Sequence, residues 1–241
     1  MTILSPLQIM LIPSSFIAMS GVLALIWHPS HRARSLIQHF AVGVILAVLS
    51  TDVFPEIAKE HAPAEILIAS FALGGFMMYL MKKITEHLEE KAKQLSNGGE
   101  NIGLISTTFV DAIIDGLIIG TGLAASTSTG LILAVGLSVE MLFLGLSLMS
   151  DTMKGKRMVV LTFILGLVMF SSMWLGHHFL KDASPAVIAS ILSFGAAALV
   201  YLVTDELLIE AHTVEETPVS ALWLFAGFLL FWGFQLYTST H

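Results

Sequence analysis

Apolar runs about twenty residues long recur eight times along this chain, and few folds accommodate such a pattern. A helix of about 20 mainly apolar residues is what it takes to cross the hydrocarbon of a bilayer. The runs fall at about 7–27, 36–57, 64–82, 102–124, 129–150, 158–177, 185–209 and 219–238. Hydrophobic residues make up 56% of the chain and charged residues 12%, with a mean hydropathy of +0.86. Soluble domains hold roughly 45–50% apolar and 25% charged residues. The fold class expected is therefore all-α integral membrane, with residues 1–241 forming one transmembrane domain. There are no cysteines, so disulfides and thiolate metal ligands are excluded. Residues 1–6 lack the basic region and cleavage site of a signal peptide, so the first run is expected to be retained.

Turn and charge signals separate the runs: His28-Pro29-Ser30-His31-Arg32, 59–63, 82–100, 126–129, 154–157, 181–185 and 215–218. Only Ser126-Thr127-Ser128-Thr129-Gly130 parts helix 4 from helix 5, which predicts a tight antiparallel pair. The polar stretch 83–100, ending in Ser96-Asn97-Gly98-Gly99, reads as a cytoplasmic loop between helices 3 and 4. Loops after helices 1, 3, 5 and 7 hold nine Lys and Arg residues against two on the other side, Lys59 and Lys181. The positive-inside rule then puts the odd-numbered loops in the cytoplasm and both termini outside. An integral plasma or inner membrane location follows as the expectation.

A repeat is also legible. Helix 2 ends in Thr51-Asp52-Val53-Phe54-Pro55-Glu56, and helix 7 in Thr204-Asp205-Glu206-Leu207-Leu208-Ile209-Glu210. Gly74-Gly75-Phe76 in helix 3 matches Ala226-Gly227-Phe228 in helix 8. Asp52 stands 23 residues before Gly75, and Asp205 stands 22 before Gly227. Helices 1–3 thus read as a copy of helices 6–8. Three is an odd number of crossings, so the copies would be inverted in the membrane, in a 3+2+3 arrangement around helices 4 and 5.

Ionisable groups inside a bilayer cost about 2.5–3.5 kcal/mol each on the insertion scale, which makes them functional suspects. Asp111 and Asp115 sit four apart in helix 4 and so share one helical face. Glu140 lies in helix 5, with Asp151 further along its face. The three mid-helix acids can converge across the antiparallel pair, and neither helix holds a Lys or Arg to neutralise them. Oxygen donors without a basic partner suit divalent cations. The ordinary alternative is that each acid is protonated and hydrogen-bonded to a neighbour, and clustering three of them weakens it. Asp52 and Glu56 would line an outer mouth, and Asp205, Glu206, Glu210 and Asp151 an inner one. His177, at the outer end of helix 6, is a further capture candidate, although interfacial histidines are common. Gly116 and Gly120 read as a helix-packing notch, and Trp223, Trp232 and Tyr237 as an aromatic belt. No Walker A motif, Rossmann fingerprint or nucleophile elbow stands out, which argues against an ATP-driven pump.

The combined pattern resembles the ZIP family of divalent metal transporters, the zinc and iron permease type. Helix 4 of that family typically reads His-Asn-x-x-Glu-Gly. Asp111, Ala112, Asp115 and Gly116 stand at those positions, followed by Leu117-Ile118-Ile119-Gly120. Helix 5 typically reads His-x-x-Pro-Glu-Gly, and Glu140, Phe143, Leu144 and Gly145 stand there. Phe54-Pro55-Glu56 and Asp205-Glu206-Leu207 resemble family landmarks too. No motif is intact: acids replace both histidines, and Leu144 replaces a glutamate. The resemblance implies a single metal site of Asp111, Asp115 and Glu140, and alternating access of helices 1, 4, 5 and 6 against 2, 3, 7 and 8. The metal is substrate, with zinc, manganese, iron and cadmium all open, and no organic cofactor is expected. Oxygen-only ligation shifts preference toward harder ions such as manganese. Expected partners are membrane lipid and the metal ion, with a homodimer open and no nucleic acid. Two rival readings are a ZIP-like sensor or interaction subunit that does not transport, and an intramembrane aspartyl enzyme.

Overall fold

The computed structural model describes residues 4–27, 30–59, 62–95, 100–147, 155–212 and 218–239. Every regular element among them is helical, and eight helices are long and apolar enough to cross a membrane. Helix 1 is Pro6–Ile26, helix 3 Ala64–Leu95, helix 4 Glu100–Ala125, helix 5 Thr127–Ser147, helix 6 Lys156–Leu180 and helix 8 Pro218–Ser239. Helices 2 and 7 are each interrupted by a wider turn. Helix 2 runs His31–Val48, then a π-helical segment Leu49–Val53, then Phe54–Lys59. Helix 7 runs Pro185–Leu202, π-helical Val203–Leu207, then Leu208–Ala211. Both π segments fall on the matched Thr-Asp motifs, with Asp52 in one and Asp205 and Glu206 in the other.

Backbone amides at helix starts need partners, and short polar residues supply them. Ser5 and Gln8 form a reciprocal cap on helix 1, with Pro6 as its first residue. Ser30 accepts from the Ala33 amide at 3.3 Å, which starts helix 2 at His31, five residues before the apolar run begins. Between helices 4 and 5 only Ser126 is non-helical, and its hydroxyl accepts from the Thr129 amide at 3.0 Å. The turn is thus shorter than the 126–129 break expected.

Helix 3 differs most from the expectation of a loop at 83–100. It continues as helix through Leu95, and only 96–99 lie outside the described residues. Glu86-His87-Leu88-Glu89-Glu90-Lys91-Ala92-Lys93-Gln94-Leu95 is polar but consists almost wholly of good helix formers. Polarity ended the apolar run without ending the helix.

The crossings alternate in direction, and interhelical contacts fix this. Gly21 lies against Thr162 and Gly166 against Ser14, so helices 1 and 6 are antiparallel. Helix 2 runs parallel to helix 8, from the Phe40–Gly227 approach to a 2.7 Å bond donated by Gln235 to the Thr51 carbonyl. Helix 3 runs parallel to helix 7. Ser193 donates to the Leu67 carbonyl at 2.9 Å near one end, and Lys82 pairs with Asp205 near the other. Helix 1 also packs on helix 5, helix 4 on helix 6, helix 2 on helix 5, and helix 7 on helix 4.

Burial sorts the helices by role. In helices 2, 4, 5 and 7, 61% of the most apolar window is buried, against 11% in helix 3 and 17% in helix 8. Asp52, Glu56, Asp111, Asp115, Glu140, Asp205 and Glu206 all ride on the four inner helices. The exposed face of helices 3 and 8 carries Ile68, Phe76, Leu222, Phe225, Leu229 and Leu230, as a lipid-facing surface would. Trp223, Trp232 and Tyr237 are exposed on helix 8.

Candidate metal centre

The hairpin of helices 4 and 5 builds the centre. Asp115 and Asp111 stand 11 and 15 residues before Ser126, and Glu140 stands 14 after it. An antiparallel pair folded at Ser126 therefore brings Glu140 to the level of the two aspartates. Leu123 and Leu133 fill the space at Gly130 and Gly122, so the two helices meet closely at the turn. Asp111 is 3% exposed, Asp115 1% and Glu140 0%. Helix 6 closes the outer side of helix 4. A methyl group on Gly116 would meet the Met169 carbonyl at 2.8 Å, and one on Gly120 would meet the His177 amide nitrogen at 3.0 Å. The Gly116-Gly120 notch thus seats helix 4 on helix 6, which leaves the aspartate stripe to face helices 5 and 7.

The three carboxyls lie within electrostatic reach of one another. Glu140 interacts with Asp115 and Asp111, and all three interact with Glu206 of helix 7. The charges acting on them most strongly are all carboxylates. Glu206 was expected at the inner mouth, and the structure brings it within reach of the central acids. Position along the sequence measures depth only for a regular helix, and Glu206 lies in the π-helical segment of helix 7.

Four buried carboxyl oxygens have no hydrogen-bond partner among the described residues: Oδ2 of Asp111, Oδ2 of Asp115, and Oε1 and Oε2 of Glu140. Each such atom costs about 1–3 kcal/mol of desolvation, and more when charged. Two like charges 4 Å apart repel by about 4 kcal/mol at an effective dielectric of about 20. A cluster of this kind therefore needs protons or a cation, and its donor set of bare oxygens fits a divalent ion. Among the described residues no three His, Asp or Glu side chains are drawn together into a ready-made cage. The carboxyls are neighbours rather than a closed coordination shell.

The remaining candidates form separate groups. Asp52 and Glu56 are buried beside each other, and Lys59 bonds Glu56 Oε2 at 2.9 Å. Asp205 takes the Lys82 ammonium and the Tyr201 hydroxyl. His177 sits beside Lys181 and His178, against the Leu123 backbone, with its Nδ1 buried and unpartnered among the described residues. Asp151 lies outside the described residues, as does the side chain of Glu210.

Three features carried no sequence signal: Lys82 on Asp205, Glu206 beside the central acids, and the buried His39, which meets His212 edge to face. Lys82 was legible only as a topological charge, because its partner is 123 residues away. No known protein-family model matches the chain, and a search of curated proteins finds no match either.

Proposed function

We propose that this chain is a divalent metal-ion carrier whose substrate passes between Asp111, Asp115 and Glu140, with Glu206 as a fourth acid on the route. The observation that carries the proposal is the set of four unpartnered carboxyl oxygens buried at the meeting of helices 4 and 5. A cation would satisfy the oxygens and cancel the repulsion together, whereas protons would cancel the repulsion and leave the buried oxygens without partners among the described residues. An open set of neighbours also suits transit, because a cargo ion must leave as well as bind. We place zinc, manganese, iron and cadmium in the substrate class, with carboxylate-only ligation favouring the harder ions.

The packing pattern supports an inverted 3+2+3 repeat. Exchanging helices 1 with 6, 2 with 7, 3 with 8 and 4 with 5 converts the 2–8 contact into 7–3, 1–5 into 6–4, and 2–5 into 7–4. The 3–4 contact has a weaker counterpart in 8–5, where the Phe231 ring lies 3.2 Å from a Cβ built on Gly136. Gly74 lies against the Phe194 carbonyl as Gly227 lies against that of Phe40. Gly74 is also 22 residues from Asp52, the same spacing as Gly227 from Asp205, so Gly74 rather than Gly75 is the matching glycine. Repeats of this kind underlie alternating access in many carriers. In our reading Asp52 and Glu56 attract the ion from outside, and Asp205 and Glu206 receive it toward the cytoplasm. The orientation rests on the nine-to-two bias of Lys and Arg.

Proteoliposomes loaded with a metal-sensitive dye test the proposal. Manganese or zinc influx should exceed that of empty vesicles and should fall at least tenfold in Asp111→Asn and Glu140→Gln. Influx at the wild-type rate in both variants would sink it.

A further inference from the structure

The two π-helical acids are furnished differently. Asp205 takes the Lys82 ammonium from helix 3 and the Tyr201 hydroxyl from its own helix. Glu206 and Glu86 lie within electrostatic reach of the same hydroxyl, so Lys82 joins a group of three acids. Asp52, in contrast, has a buried Oδ2 with no hydrogen-bond partner among the described residues. The side chain that reaches over from helix 8 is Gln235, which is neutral and donates to the Thr51 carbonyl at 2.7 Å. Lys59 bonds Glu56 there and adds a positive field at Asp52, from a side chain 71% exposed. The two sets correspond along the chain. Asp205 follows Asp52 by 153 positions, Gly227 follows Gly74 by 153, and Gln235 follows Lys82 by 153. Helix 3 thus carries a cation where helix 8 carries an amide.

We infer that Lys82 is a tethered counter-ion that occupies Asp205 in competition with a divalent metal ion, so that metal binds at Asp205 only by displacing it. An ammonium and a metal ion neutralise the same carboxylate, and both cannot hold it fully at once. The lysine charge is compact and rides on a flexible four-carbon stem, so it can leave the acid without moving helix 3. The pair is also within reach of water, with side-chain exposures of 33% and 29%. An acid free of its lysine about one-fifth of the time binds an ion about fivefold more weakly than the same acid alone. On the carrier reading above, the returning ammonium would expel the ion toward the cytoplasm, while Asp52 at the other end keeps an oxygen open for capture. That part in release rests on the carrier reading, and the competition at Asp205 does not.

Equilibrium dialysis against Mn2+ tests the competition whether or not the wild type transports. The full-length protein carries Asp111→Asn, Asp115→Asn and Glu140→Gln, so that the central acids add nothing to the bound metal. Adding Lys82→Gln should tighten Mn2+ binding about fivefold or more, and adding Asp205→Asn to that protein should abolish the gain. Lys82→Met, which keeps the stem and removes the charge, should give the same gain and serves as a second uncharged variant should the glutamine protein fold poorly. Lys82→Arg, which keeps the charge, should give none. A lysine that only fastens helix 3 to helix 7 would lower the thermal midpoint when replaced, without creating metal binding that depends on Asp205. Unchanged Mn2+ affinity in the uncharged variants, a gain that survives Asp205→Asn, or an equal gain in Lys82→Arg would overturn the inference.

Discussion

Asp115 and Glu140 lie within electrostatic reach of each other across the helix 4–5 hairpin, both buried, and each holds a carboxyl oxygen with no hydrogen-bond partner among the described residues. Two apolar residues of similar volume would fill the same space without repulsion, and replacing even a buried ion pair in this way is often neutral or stabilising by about 1–4 kcal/mol.

Opposite effects on stability and uptake are therefore expected from one substitution. Without metal, Glu140→Gln should raise the thermal midpoint in detergent, by about 1–2 kcal/mol in stability. The same variant should lose the stabilisation that added Mn2+ or Zn2+ gives the wild type. A lower midpoint in Glu140→Gln, with metal stabilisation retained, would show that the acid serves packing.

Protons and metal compete for the same oxygens. Raising the pH strips protons from the carboxyls and should strengthen metal binding; lowering it should weaken binding and favour release. Where one proton is displaced per ion, the apparent Kd changes about tenfold per pH unit. A flat dependence of Kd across the acid range, measured by titration, would mean the ion binds without displacing protons from these carboxyls.

The helix 3–7 and 2–8 contacts make a sharper packing prediction. A methyl group at Gly74 would collide with the Phe194 carbonyl, and one at Gly227 with the Phe40 carbonyl, whereas a methyl at Gly75 meets nothing within 4 Å. Gly74→Ala and Gly227→Ala should each cost about 1–3 kcal/mol through overpacking. Gly75→Ala should stay within about 0.5 kcal/mol of the wild type. Equal midpoints for all three variants would contradict the register of the two pairs.

Lys82 and Asp205 join helix 3 to helix 7, with side-chain exposures of 33% and 29%. A double-mutant cycle with Lys82→Ala and Asp205→Ala should give a coupling of about 1 kcal/mol, because partial exposure screens the pair. Coupling between Lys59 and Glu56 should be smaller, since the Lys59 side chain is 71% exposed. The reverse order would show that burial does not set the strength of these pairs.

The eight helices were legible because apolar length is a one-dimensional property. The reach of helix 3 was not, because Glu86 to Leu95 switches from apolar to charged while keeping its helix propensity. The electrostatic reach of Glu206 to the central acids was not legible for a different reason: it belongs to a π-helical segment, where counting at 3.6 residues per turn fails. His39 and His212 stand 173 residues apart, and their meeting arises from tertiary packing, including the Ser35–Ala211 hydrogen bond, that no sequence pattern records.

An anomalous difference map from crystals soaked in Mn2+ or Zn2+ tests the central claim most directly, since it reports position and element together. The account predicts a peak bounded by Asp111, Asp115 and Glu140, with ligand distances of about 2.0–2.2 Å for zinc. A map with no peak among these carboxyls, at metal concentrations that saturate uptake, would contradict it.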